Sequence, residues 1–152
     1  MANRAMLGVV LGLLAIGGLS AAANPDDVVG VWTNEEKDAR IEVFRCGDQH
    51  CGKIVWLQEP NYPEGSDEGT PGTPKLDRNN PNPELRKTPV LGLQIMHGFA
   101  HAGENVWKEG KIYDPKNGKT YSGKLTLVSP GRLDLRGYIG ISLLGRTTVW
   151  TR

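Results

Sequence analysis

The chain has 152 residues, with 18 Lys+Arg against 17 Asp+Glu, two Cys, 20 Gly and 10 Pro, which is one domain's worth of sequence with ordinary hydrophobic content. That excludes a multidomain enzyme. A net charge of +1 with scattered basic residues provides no dense cationic footprint for a nucleic-acid backbone, so no nucleic-acid partner is expected.

The first two dozen residues read as a leader to be removed before any fold reasoning. Met1 to Arg4 is a short positive stretch, Met6 to Leu19 is apolar, and Ser20-Ala21-Ala22-Ala23 supplies the small residues of a signal-peptidase site. The expectation is a signal peptide over residues 1–23, a single domain over 24–152, export to the periplasm or medium, and no membrane span after cleavage. Residues 24–152 carry 17 Lys+Arg and 17 Asp+Glu.

Export determines how the cysteines are read. Cys46-Gly47-Asp48-Gln49-His50-Cys51 joins two strand-like runs, so the pair can lie across a β-hairpin, where opposed Cα atoms are at disulfide distance, and an oxidising compartment favours the bond. Closing so short a loop contributes about 2 kcal/mol in the chain-entropy picture. A metal site from Cys46, His50 and Cys51 is the alternative, but no second Cys or His pair stands at zinc-finger spacing, and a C-x4-C spacing is not that of a redox motif. No metal and no cofactor are expected.

In chain order the remaining signals are those of short strands. Val29 to Thr33 is the first; Ala39, Ile41 and Val43 alternate with Arg40 and Glu42; Lys53 to Gln58 is apolar on both faces through Ile54, Val55, Trp56 and Leu57, which predicts a strand buried on both sides. From Glu59 to Pro89 the chain carries seven of its ten prolines and no apolar period, a long irregular loop and a potential lid. Asn61 to Thr73 is expected to be mobile and Leu76 to Pro89 ordered, with Asp77 and Arg86 forming an ion pair that fixes it. Next come Leu91, Leu93 and Ile95 on one face, Val106 to Tyr113 with a bulge near Gly110, the turn Asp114 to Gly118, and Tyr121, Gly123, Leu125 and Leu127 alternating with polar residues. Pro130-Gly131 turns the chain into Leu133, Leu135 and Ile139, and a Thr- and Val-rich run from Leu144 to Thr151 closes it.

About eight short strands joined mostly by tight turns predict an all-β, antiparallel, up-and-down meander. Eight strands can close into a barrel; a two-sheet sandwich satisfies the same periodicity. In a closed barrel the first and last strands pair, which would bring Trp32 near Arg146 or Arg152, and a guanidinium stacked on an indole contributes about 0.5–2 kcal/mol.

Gly30-Val31-Trp32 with an Arg near the last strand resembles the lipocalin and calycin barrels. More specific are Cys51-Gly52-Lys53-Ile54-Val55-Trp56, Asp77-x-x-Asn80-Pro81, Leu85-Arg86, Pro89-Val90-Leu91-Gly92, Trp107, the run Gly110 to Pro115, Gly118-Lys119-x-Tyr121, Arg136-Gly137-Tyr138 and Trp150-Thr151-Arg152. Together, and in this order, they resemble an uncharacterised bacterial family, the domain of unknown function 2147. The resemblance implies an exported, lipocalin-like eight-stranded barrel and brings no established catalytic residue or ligand. One departure is visible: Glu109 and Lys111 flank a single Gly110 where the family tends to carry a Gly pair.

The chemistry-bearing residues are few. His97 and His101 share a face with Leu93 and Ile95 if the fourth strand is regular, and would then point into the barrel mouth with Phe99. Asp77, Asn80, Asn82 and Glu84 lack the spacing of a calcium loop and read as turn-forming side chains. Tyr121 is on the inward face of its strand. No nucleophile elbow, phosphate loop or H-E-x-x-H occurs. The expectation is therefore a barrel binding a small, largely apolar ligand through Trp56, Leu93, Ile95, His97, Phe99, Trp107 and Tyr121. The alternatives are an envelope enzyme using His97, Asp77 or Asp114, and a packed interaction module binding a protein partner.

Overall fold

Eight strands follow one another as β1 (Gly30–Thr33), β2 (Ala39–Cys46), β3 (Gln49–Leu57), β4 (Gln94–His101), β5 (Val106–Asp114), β6 (Lys119–Ser129), β7 (Arg132–Tyr138) and β8 (Arg146–Thr151). Each pairs antiparallel with its neighbour, and β1 pairs with β8, so the sheet is a closed barrel. The structure, a computed structural model, describes residues 24–152. The expected leader lies outside the described residues. No helix among the described residues is long and apolar enough to cross a membrane.

The strands form where apolar and polar residues alternate. On β6 and β7 the buried positions are Gly123, Leu125, Leu127, Leu133 and Leu135, each paired across the ladder with an inward neighbour, while Lys124, Thr126, Asp134 and Arg136 point out. The turn at Asp114 works as its composition suggests: the carboxylate accepts the Lys116 N–H at 2.9 Å, and Gly118 sits at φ 72°, with the Asn79 backbone where a side chain would be.

One end of the barrel is plugged. A 3₁₀ turn at Pro25–Val28, capped by Asn24, lies across it; the Trp32 indole donates to the Val28 carbonyl at 2.8 Å and the Trp107 indole to that of Pro25 at 3.1 Å. Trp32, Trp107, Phe99, Leu125 and Leu133 are fully buried there. Strand glycines make room for the larger side chains. Phe99 covers Gly110 and Gly123, which face each other across β5 and β6, and Met96 covers Gly52 on β3.

The plug is also tied from outside. His50, buried at the same end, meets the Asp26 carboxylate at 3.1 Å, and Arg45 pairs with the same oxygen at 2.8 Å. The Arg45 hydrogen bond, and after it that of His50, holds the Asp26 carboxyl below its usual range. The Cys46–Cys51 disulfide, with Cα atoms 5.9 Å apart, staples the β2–β3 hairpin at this end. With both sulfurs bonded to each other, Cys46, His50 and Cys51 form no metal site.

Several expectations change once the strands are in register. β3 is not buried on both faces over its apolar run: Val55 and Trp56, at a register shift against β2 between Arg40 and Ile41, are each 38% exposed, and Arg40 stacks on the Trp56 indole 4.9 Å from its centroid. A single-layer barrel has nothing outside it to cover a second apolar face. β4 begins at Gln94, later than its apolar pattern suggests, and is irregular, with register shifts against β3 on either side of Gly52. Ile95 and Met96 are consequently both inward, and Gly98 at φ 77° resets the phase so that Phe99 is inward while His97 is exposed on the outer wall.

The bulge expected near Gly110 is present, as a register shift between Trp107 and Gly110 on β5. Glu109 occupies it at φ 63°, the left-handed region that disfavours any residue with a Cβ. Glu109→Gly is expected to raise stability by about 0.5–1 kcal/mol, seen as a higher urea midpoint at unchanged slope. A lower midpoint would mean that the Glu109 side chain contributes more than its backbone strain costs.

Candidate ligand-binding site

Opposite the plug the barrel is open. Four connections meet at this end, 34–38, 58–93, 115–118 and 139–145, and between them lies a cavity of about 1290 Å³ open to solvent. Its floor is apolar, made by Ile41, Ile54, Ile95, Leu135 and Trp150, which also belong to the core. Ile112, Tyr113 and Tyr121 form the wall above the floor, and the rim is charged. An apolar floor beneath a polar rim suits a molecule with an apolar body and a polar end.

Residue pairs order the rim. Lys116 bridges Glu36 at 2.5 Å and Asp38 at 2.9 Å, Arg146 reaches Glu35 at 3.4 Å, and Lys75 meets Glu59 at 3.2 Å. Partial burial disfavours the Lys116 ammonium, but hydrogen bonds to Glu36 and Asp38 outweigh it and raise its pKa. For Asp38 burial again acts against the charge, and hydrogen bonds from Asn34 and Lys116 lower the pKa. The rim is thus a set of fixed ion pairs at neutral pH.

The long loop forms one side of this cavity through Glu59, Tyr62, Lys75, Leu76 and Arg78. Its fixed point is Asp77, fully buried, whose carboxylate accepts the Tyr113 hydroxyl at 2.6 Å and the Asn80 amide at 2.7 Å. Burial first, and then the Asp77 carboxylate, push the Tyr113 phenol upward, so it remains a donor. The expected Asp77–Arg86 ion pair does not form. Arg86 donates instead to the Asn80 carbonyl at 2.8 Å, because Tyr113 and Asn80 already occupy the buried carboxylate. The half of the loop expected to be mobile, Asn61–Thr73, has a packed centre: Tyr62 is buried, its ring covers Gly69, and its hydroxyl accepts the Leu76 N–H at 3.0 Å. Asn80 and Asn82 act as turn formers, accepting the N–H groups of Asn82 and Glu84 respectively.

The chain matches, over residues 30–152, the family described as an uncharacterized protein conserved in bacteria, DUF2147. The chain belongs to the DUF2147 family. A solved structure, protein HP1028 from Helicobacter pylori, described as belonging to the lipocalin family, shares 24% sequence identity at a TM-score of 0.67, covering 82% of this chain and 81% of that one. At that identity the likeness shows the fold: a lipocalin-like barrel. No curated protein matches the chain.

In this DUF2147 member the residues expected at the site divide by height and by face. Ile95 and Tyr121 line the cavity, Tyr121 with its hydroxyl accepting from Asn117 at 3.0 Å; Leu93 is half-buried against the core. Phe99 and Trp107 fill the interior toward the plugged end and are not part of the lining; Trp56 and His97 are on the outer wall. His101 packs against Trp107, the ring centroids 5.1 Å apart and tilted by 52°, and bonds the Glu104 carbonyl at the plugged end. Asp114, at the end of β5, lines the cavity, but Asp77 is buried beneath Tyr113 and His97 is outside, so the three acid/base candidates do not converge on one concave site. Among the described residues no three His, Cys, Asp or Glu side chains gather as a metal site.

Periodicity alone does not show the floor residues Ile41 and Ile54 as ligand-facing, although both face inward, paired beside a register shift between β2 and β3. The signal that separates them from Leu125 or Leu133 is proximity to the long loop, because strand positions near it are at the open end.

Proposed function

We propose that the protein is an exported carrier that binds a small, largely apolar ligand in the open end of its barrel. The observation that carries this reading is the cavity itself: about 1290 Å³ floored by Ile41, Ile54, Ile95, Leu135 and Trp150, above an interior that is otherwise packed. The ligand's apolar part would descend to that floor and its polar part would remain among the rim charges. Export is supported by the apolar leader-like segment before Asn24 and by the Cys46–Cys51 disulfide.

Titration with an apolar fluorescent probe, N-phenyl-1-naphthylamine, tests the reading. Saturable binding is expected, weakened about tenfold or more by Ile112→Trp, which extends an indole from a half-buried position into the cavity. Absence of saturable binding, or unchanged binding in a folded Ile112→Trp variant, overturns it. Native mass spectrometry of the protein from its own host would name any molecule that co-purifies.

A further inference from the structure

Loops of soluble barrels usually keep their large apolar residues inward or few. The β7–β8 connection does the reverse: Ile139, Ile141, Leu143 and Leu144 are 66%, 59%, 82% and 78% exposed. They protrude from the open end, on the loop between two cavity-lining residues, Gly137 and Arg146.

This tip is not a slack segment. The Arg136 guanidinium donates to the carbonyls of Ser142 at 2.7 Å and Leu143 at 3.1 Å and to the Thr147 hydroxyl at 3.0 Å. Leu144 N–H bonds the Ile141 carbonyl and Gly145 N–H that of Ser142. Three consecutive tip carbonyls are therefore satisfied within the protein. That pairing lets the tip enter hydrocarbon, where an unpaired peptide group costs several kcal/mol.

The surroundings carry the opposite character. From Leu135 to Arg152 the sequence has no Asp or Glu. On the adjoining outer wall Lys124 lies in register with Arg136, and Lys111 with Ser122, which is in turn opposite Tyr138. Among the described residues Lys111, Lys124 and Arg136 have no carboxylate partner within ion-pair distance, although most cations elsewhere on the rim are paired. An aliphatic tip with its backbone paired, beside an unneutralised basic wall and a tyrosine, is complementary to one surface: anionic lipid headgroups over an acyl layer.

We infer that the β7–β8 tip inserts into the interface of an anionic bilayer, with Lys111, Lys124 and Arg136 against the headgroups, so that the cavity mouth opens at the membrane. The docking stands apart from whether the cavity holds a ligand. A protein partner fits less well, since the tip offers only aliphatic side chains, without the aromatic anchors that dominate protein interfaces.

Vesicle flotation of the barrel, residues 24–152, decides the matter. The protein is expected to float with vesicles of equimolar phosphatidylcholine and phosphatidylglycerol and less with phosphatidylcholine alone, with added salt weakening the anionic component. Leu143→Ser with Leu144→Ser should lower partitioning by about tenfold or more at an unchanged unfolding temperature, the two side chains being solvated in the free protein. Lys124→Glu should weaken binding to the anionic vesicles only. Failure of the unsubstituted barrel to float, or equal flotation of the double serine variant, overturns the inference. Self-association through the tip without vesicle binding, read by analytical ultracentrifugation, overturns it in favour of a second copy of the chain.

Discussion

Trp32→Ala is expected to destabilise the barrel by about 3–5 kcal/mol, the range for emptying a fully buried indole site. The loss exceeds packing, because this indole joins three parts of the plugged end. Its N–H holds the Val28 carbonyl, its ring bears the Arg152 guanidinium 4.1 Å from the centroid, and its strand is joined to β8 at a single pair, Thr33 with Thr151. So short a ladder leaves the closure of the barrel to side chains. Arg152 supplies much of it, donating to the carbonyls of Val29 at 2.8 Å, Asp27 at 3.1 Å and Pro130 at 2.8 Å. Arg152→Ala should therefore destabilise as well, by about 1–3 kcal/mol, and less in the Trp32→Ala background than alone. Urea unfolding of the four proteins of this cycle measures the coupling. Additive effects would mean that the stack and the carbonyl contacts stabilise independently.

The second large effect is expected at Gly110. A methyl group there would overlap the Phe99 ring, and a Cβ on the facing Gly123 would lie 2.6 Å from the ring's edge. Phe99 is fully enclosed, so it cannot move aside without displacing its neighbours, and Gly110→Ala should cost about 2–3 kcal/mol, at the upper end of overpacking. Phe99→Leu removes ring atoms from the overlap and should recover part of that loss when combined with Gly110→Ala, although alone it destabilises. Equal urea midpoints for Gly110→Ala and the unsubstituted protein would show that the ring has room the structure does not give it.

Both predictions concern the plugged end, and the contrast with the other end is what leaves a cavity in the barrel. Phe99, seated over Gly110 and Gly123, and Trp107 fill the interior at that end, whereas Ile41, Ile54, Ile95 and Leu135, lacking partners from above, form a floor. The same chain thus spends its large side chains at one end and leaves volume at the other.

Regular strands are readable because their side-chain period is two, which β6 keeps through Gly123, Leu125 and Leu127 and β7 through Leu133 and Leu135. Where the expectations for individual residues differ from the structure, a bulge or an unanticipated partner is responsible. Continuing the Leu93, Ile95 alternation puts His97 inward, but the irregularity around Ile95 and Gly98 on β4 shifts the phase and turns it out. Hydrophobicity alone puts Trp56 inward, but the register shift beside Arg40 leaves it on the outer face, which a single-layer barrel does not cover. Arg86 and Asp77 have complementary charges at a reasonable spacing, yet Tyr113, 36 residues from Asp77 in the chain, takes the carboxylate.

Properties that depend on neighbours along the chain are legible in the residues alone: the number and order of strands, the turns at Asp114 and Pro130, the Cys46–Cys51 hairpin and family membership through motifs in order. Tertiary structure alone decided which arginine stacks on Trp32. An antiparallel seam sets the end of β8 beside β1, so Arg152 lies over the indole, and Arg146 stands at the open rim with Glu35. It likewise decided that the barrel is plugged at one end and hollow at the other. Volume inside a closed sheet depends on which side chains meet across it, and those meetings are set by register and bulges between residues far apart in sequence.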